Sequence, residues 1–345
     1  MKVGILTAGG DCPGLNAVIR ASARKLLAGG HEPVGLLRGY QGLAERNFMP
    51  LGHREVSGIL QLGGTIISTS SYNPFREENG VALVKSAVEE ENIDAVIAIG
   101  GEHTMMITRR LFDEQGIPTI GVPKTIDNDV TGTDYTFGFN TAVQIASDAI
   151  DRLHTTAESH NRIMILEVMG RNTGWIALFA GIAGGADAIV IPELELTVEE
   201  ISQNISQRHA RGKNFSIVVV AEGAELAYDS GEKLLIRASE DVDLYGFPRL
   251  GGIGAALAIE LEKATGFDTR VTVLGHIQRG GTPNAYDRIL ATEYGIKAAE
   301  LAMNRDFGSM AALRNNQITS VPLSDVTGVK TVDLHYLEVA KTFFG

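Results

Sequence analysis

Lys124, Thr125, Asp127 and Asp129 bring an ammonium, a hydroxyl and two carboxylates into one short stretch, Pro123-Lys124-Thr125-Ile126-Asp127-Asn128-Asp129. An Asp-x-Asp pair beside a lysine suits a reaction in which a hydroxyl loses its proton while a phosphoryl group is held. The stretch follows an apolar run over 117–122 that reads as a buried strand. In open α/β sheets ligands sit beyond the carboxyl ends of the strands. Taken alone, Asp-Asn-Asp is more often an ordinary turn, because both residue types favour turns for local reasons.

Other strand ends carry comparable chemistry. Gly9-Gly10-Asp11 joins a first strand to a first helix, and Gly100-Gly101-Glu102-His103-Thr104 repeats that arrangement. Amides freed at a helix N-terminus attract anions, and glycine lets a phosphate approach the backbone. Glu102 is placed either to hold Mg²⁺ through oxygen or simply to interact with the helix dipole. Two further turns, Met169-Gly170-Arg171 and Gly275-His276-Ile277-Gln278-Arg279, also end strands, while Arg162 and Arg270 stand near strand starts. Singly, each arginine reads as a surface ion pair and His276 as a buried imidazole. Together they divide into strand ends bearing carboxylates and strand ends bearing cations. Phosphoryl transfer needs that division, since it relies on positioning, charge neutralisation and a base.

The elements that position these turns follow a βαβ rhythm. Strands are expected over 2–7, 31–37, 95–99, 117–122, 162–168, 188–191, 216–220 and 270–274. Helices are expected over 15–27, 81–91, 104–115, 140–159, 198–211, 250–265 and 285–303. The expected fold is α/β, with two Rossmann-like three-layer domains of largely parallel sheet and a cleft between them. The polar segment 225–244, with its turn signal Asp229-Ser230-Gly231, is expected to be a surface excursion.

At 345 residues two domains are the prior. A net charge of −12 argues against non-specific nucleic-acid binding and an anionic membrane surface. The single cysteine, Cys12, excludes an intrachain disulfide and fits a reducing compartment. No apolar run reaches membrane-spanning length and no signal peptide is evident, so the cytoplasm is the expected location. A nicotinamide-binding reading fails because the turns lack G-x-G-x-x-G spacing.

The motifs Gly9-Gly10-Asp11, residues 123–129, Met169-Gly170-Arg171 and residues 275–281 are jointly specific, and on them the chain resembles the phosphofructokinase A family over about residues 2–310. The resemblance implies Mg²⁺-dependent phosphorylation of fructose 6-phosphate at O1, in glycolysis. It implies Asp127 as general base, with Thr125, Lys124 and Arg171 around the reacting groups, and Glu102 with Asp129 as metal ligands. Met169, Gly170 and Glu222 would line the sugar pocket, while His276 and Arg279 grip the 6-phosphate. Arg162 and Arg270 would reach it from a neighbouring subunit, which implies a homotetramer or dimer of dimers. Gly10, Tyr72, Arg76, Gly101, Glu102, His103 and Thr104 would take the donor. The implied domains are 1–139 with 251–305 for the donor and 140–250 with 306–345 for the sugar phosphate.

Three departures bear on the donor. His103 stands where many ATP-using relatives have glycine, Lys124 matches pyrophosphate-using relatives, and Ser71 replaces a phosphate-bridging arginine. The first two favour pyrophosphate. Against them, Arg20, Arg24, Arg54 and Lys213, with Asp187, match the effector-site positions of allosteric ATP enzymes; alternatively the four cations are surface charge at a subunit interface. The donor therefore stays open between pyrophosphate and ATP. A related ketose phosphate as acceptor and a catalytically weak regulatory paralogue remain as further readings.

Overall fold

Structure is described for residues 1–234, 252–342 and 344, in a computed structural model. The strands are β1 (Lys2–Thr7), β2 (Glu32–Leu36), β3 (Phe48–Pro50), β4 (Ala95–Gly100), β5 (Thr119–Thr125), β6 (Phe137–Gly138), β7 (Ile163–Val168), β8 (Ala188–Val190), β9 (Leu196–Thr197), β10 (Ser216–Ala221), β11 (Leu226–Ala227), β12 (Thr269–Val273), β13 (Ser309–Arg314) and β14 (Gln317–Pro322). The helices are α1 (Leu15–Ala28), α2 (Tyr40–Ala44), α3 (Gly80–Glu90), α4 (Glu102–Gln115), α5 (Phe139–His160), α6 (Trp175–Ala183), α7 (Val198–Ala210), α8 (Ile253–Thr265), α9 (Ala285–Asn304) and α10 (Leu334–Lys341). The chain divides into two units, Met1–Thr141 with Arg279–Val329 and Ala142–Gln278 with Lys330–Gly345.

The first unit is built on an eight-stranded sheet in the order β14-β13-β5-β4-β1-β2-β3, with β6 also paired to β5. Its central pairings are parallel, and β3 and β14 add antiparallel edges. Val3, Ile5, Leu6 and the β4 run Ala95 to Ile99 are buried, as strands covered on both faces must be. The chain leaves β1 for β2 on one side, while β4 lies on the other. The strand order therefore reverses at β1, and the two glycine turns leave from the carboxyl ends at that reversal. Helices α1 and α9 pack closely because Gly295 lacks a Cβ, which would lie 2.6 Å from the Val18 carbonyl oxygen.

The second unit carries a four-stranded parallel sheet in the order β12-β7-β10-β8. Ile163, Ile165, Val218 and Val220 form its core with Ile253 and Leu257 of α8. Helix α7 opens on a capping box in which Thr197 and Glu200 satisfy each other's amides. The α/β expectation, with largely parallel sheets in two Rossmann-like units, is borne out.

Differences from the expectation have local causes. The segment 251–305 is expected wholly with the donor domain, but its first part joins the second unit, because β12 pairs with β7 and α8 packs on that sheet. The segment 306–345 is expected with the sugar domain; its part up to Val329 belongs to the first unit, where β13 pairs with β5, while the part from Lys330 belongs to the second. The β13–β14 hairpin is not among the expected elements. Its turn, Asn315-Asn316, holds both residues at positive φ (52° and 61°), as two-residue hairpins prefer. The strand expected over 117–122 runs instead through Lys124 and Thr125. Of the polar excursion over 225–244, residues 235–244 lie outside the described residues, as do 250 and 251 at the expected start of α8. Among the described residues no helix is long and apolar enough to cross a membrane.

Candidate active site

In the first unit, β1 delivers Gly9 and Gly10 into a turn pinned from several sides. The Gly9 N–H donates to Ser70 O at 3.0 Å, and Thr69 Oγ1 donates to Gly9 O at 2.6 Å. The Lys124 ammonium donates to the Gly10 carbonyl. The Arg279 guanidinium lies over the same glycine, where a Cβ would come 2.9 Å from its Nη1. A side chain at Gly10 would crowd this turn. The turn after β4 is similar. A Cβ on Gly100 would fall 2.3 Å from Thr104 Oγ1, and α4 begins at Glu102. Gly101 approaches the Lys124 carbonyl, so this turn lies beside the end of β5. Glu102 is partly exposed, and its Oε2 sits 3.6 Å from Nδ1 of the exposed His103.

The loop after β5 is braced by a residue that carries no charge. Asn128 takes left-handed backbone (φ 52°), is fully buried, and accepts the Thr136 N–H at 3.0 Å through Oδ1. Thr136 Oγ1 donates in turn to Thr125 O at 2.8 Å. The Asp127 N–H donates to Thr125 Oγ1 at 3.0 Å, so the Thr125 hydroxyl fixes the backbone of Asp127. Asp127 and Asp129, on either side of Asn128, are partly exposed. Lys124 is buried, and burial pushes its pKa down. Arg279 adds to that, while Asp129 and Asp11 oppose it. Cys12 is fully buried, and burial pushes its thiol pKa up, which removes it as a nucleophile. Tyr72 is partly buried against the core beside α3, while Arg76 is exposed.

In the second unit the loops after β7 and β10 lock together. Glu222 N–H donates to Val168 O at 2.9 Å, and Gly223 N–H donates to Gly170 O at 3.0 Å. Gly170 has φ 138°, and a Cβ on Gly223 would lie 1.9 Å from the Arg171 carbonyl oxygen. Gly223→Ala must therefore push the Arg171 loop aside. The expected cost is about 1–3 kcal/mol, typical of overpacking, read as a shifted urea midpoint. Met169 is buried, and His276 is exposed on a 3₁₀ turn, Gly275–Arg279, so it is not the buried imidazole of the alternative reading. Arg162 and Arg270 stand together, both paired to Asp268.

Two further carboxylates were missed in the sequence. Glu193 accepts the Gly174 N–H through both oxygens (3.1 and 3.0 Å) and the Val332 N–H at 3.1 Å. It thereby fixes the end of the loop that carries Arg171. Glu167, buried in β7, accepts the N–H groups of Gly252 and Gly254 and caps α8. Glu167 had a visible signal, a lone acid within an apolar strand. Glu193 had none.

The effector-matching residues divide between the units. Arg20 is partly exposed on α1, and Arg24 and Arg54 are exposed, all in the first unit. In the second, Lys213 is exposed, whereas Asp187 is buried, paired with Arg208 at 3.0 Å, and accepts the Ile217 N–H at 2.9 Å. Burial pushes the Asp187 pKa up against these partners.

Among the described residues no group of three or more acids, histidines or cysteines is arranged to hold a metal ion. Glu102 and Asp129, the pair the resemblance implies, would offer hard oxygen ligands. That set fits Mg²⁺, which usually takes one or two carboxylates and completes its shell with waters and substrate phosphates.

A family model described as Phosphofructokinase matches residues 2–302. A pyrophosphate–fructose 6-phosphate 1-phosphotransferase of Streptomyces coelicolor is 50% identical across 100% of both chains. An ATP-dependent 6-phosphofructokinase of the same organism is 48% identical across 98% of both. Among solved structures, Pichia pastoris phosphofructokinase superimposes with a TM-score of 0.81 at 33% identity, covering 99% of this chain and 38% of that longer one. A pyrophosphate-dependent phosphofructokinase from Marinobacter aquaeolei gives 0.82 at 21% identity, covering 100% and 92%, which bears on the fold alone. With the family model spanning most of its length and relatives at half identity along all of it, the chain belongs to the phosphofructokinase family.

Proposed function

We propose that this protein is a 6-phosphofructokinase: it transfers a phosphoryl group to the O1 hydroxyl of fructose 6-phosphate, with pyrophosphate as the preferred donor. The observation that carries the reading is the end of β5. There Asp127 is braced by Thr125, while Lys124 reaches the donor-side turn at Gly10. Asp127 takes the proton from the sugar hydroxyl as the new O–P bond forms and the bridging P–O bond of pyrophosphate breaks, releasing orthophosphate (ADP where ATP is the donor). Thr125 orients that hydroxyl, Arg171 neutralises charge beside it, and Met169, Gly170 and Glu222 shape the sugar pocket. His276 binds the 6-phosphate with Arg162 and Arg270 of a neighbouring subunit; Arg279, which the resemblance also assigns to that phosphate, has its guanidinium over Gly10 of the donor-side turn. Gly10, Tyr72, Arg76, Gly101, His103 and Thr104 receive the donor. Mg²⁺, held by Glu102 and Asp129, would neutralise charge on the donor phosphates. Glycolysis in the cytoplasm, as a homotetramer, is the setting this reading implies.

The donor preference rests on His103. Its imidazole projects from the first turn of α4, beside Glu102, where a nucleotide would need to approach the backbone. The second reading, ATP as donor, is supported by the ATP-dependent relative at 48% identity. Turnover with fructose 6-phosphate, Mg²⁺ and each donor tests both. Pyrophosphate should support the faster reaction, and His103→Gly should raise the rate with ATP while leaving the pyrophosphate rate within a few-fold. A parent protein that uses ATP by a wide margin would refute the steric argument. No transfer from either donor would refute the function.

A further inference from the structure

We propose that Asp268 is a positioning residue for the two arginines assigned to the sugar phosphate, an inference that rests on the function proposed above. Residue 268 immediately precedes β12, whose Thr269 is in register with Ile163 of β7. That register sets Asp268 beside Arg162, and the Ile163 N–H donates to the Asp268 carbonyl at 3.1 Å. The carboxylate then divides its oxygens. Oδ2 accepts Nε–H of Arg162 at 2.5 Å, while Oδ1 pairs with Nη1 of Arg270. The same Nη1 also donates to Thr269 O at 2.9 Å.

The choice of atoms matters. Asp268 takes the Nε edge of Arg162 and leaves its terminal amino groups for another acceptor. Arg270 keeps Nε and Nη2. The side chains are 31% and 53% exposed, so a dissolved anion can reach both. With two guanidiniums and one carboxylate the group keeps a net positive charge. Asp268 thus restrains two long side chains before the phosphate arrives, and each arginine still has N–H groups to give it. Ordering those side chains only at binding would cost affinity.

The test compares the parent with Asp268→Asn and Asp268→Glu in steady-state turnover, with inorganic phosphate binding measured by calorimetry alongside. Asp268→Asn should raise the KM for fructose 6-phosphate about tenfold, as two side chains lose their restraint, with kcat within about threefold. Phosphate affinity should fall in step. Asp268→Glu should recover part of both losses, which a merely structural role would not produce. Arg162→Lys keeps the charge but lacks Nε, so it should raise KM similarly, and adding Asp268→Asn to it should do little more. If Asp268→Asn does not fold, the glutamate and lysine variants carry the comparison. Unchanged or tighter phosphate binding in every variant, or a fall in kcat at constant KM, overturns the assignment. If the parent transfers no phosphoryl group, the proposed function fails, while the calorimetry still reports on Asp268.

Discussion

Asp127→Asn should lower kcat for phosphoryl transfer by about 10²–10⁴, the range for loss of a positioned general base. The substitution keeps the size of the side chain and removes its ability to take a proton. The brace around it is backbone and neighbour chemistry. The Asp127 N–H still reaches Thr125 Oγ1, and Asn128 still holds Thr136. The KM for fructose 6-phosphate should therefore stay within a few-fold, and the melting temperature should barely move. Steady-state kinetics beside a thermal melt checks this. A variant within a few-fold of the parent in kcat would remove Asp127 from the base role. A large KM change at constant kcat would make it a binding residue instead.

Lys124→Met should cost about 10²–10³ in turnover with pyrophosphate, the scale of losing one preorganised electrostatic group. Two effects combine. A buried cation beside the Gly9-Gly10 turn disappears, and the Gly10 carbonyl loses its hydrogen-bond donor. The same substitution has a pH signature. Burial holds the folded-state pKa of Lys124 below its ordinary value. In the window between the two values the unfolded chain binds more protons, so stability gained from this site rises with pH there. Below the depressed value the full cost of burying the ammonium is felt. The parent should thus gain stability relative to Lys124→Met between neutral and alkaline pH. Urea midpoints of both proteins at the two conditions would show it. Parallel profiles would mean that folding does not depress the pKa of Lys124.

Much of the site is legible in the order of residues along the chain. The glycines at 9, 10, 100 and 101, the charged run at 124–129 and the Met-Gly-Arg turn lie at the ends of apolar runs, and each run is a strand or ends in one. Asn315-Asn316 could also have announced its hairpin. Other features had no local trace. Nothing near Lys124 in sequence says that its ammonium ends on Gly10, which is 114 positions away. Nothing near Arg279 says that its guanidinium covers that glycine. Asp187 matched an effector position, yet its carboxylate is engaged by Arg208 and the Ile217 amide.

What the sequence determined by itself was the kind of chemistry and where it could occur. Periodicity marks strands and helices, and glycine with Asn or Asp marks the turns that must adopt positive φ or admit an anion. Those are properties of a few consecutive residues. The tertiary structure decided which charges meet: Lys124 with Gly10, Asn128 with Thr136, Asp268 with two arginines, and Glu193 with the Arg171 loop. Strand order and register decide such pairings, because they bring distant segments side by side. Burial then decides whether a carboxylate or an ammonium faces solvent or a partner.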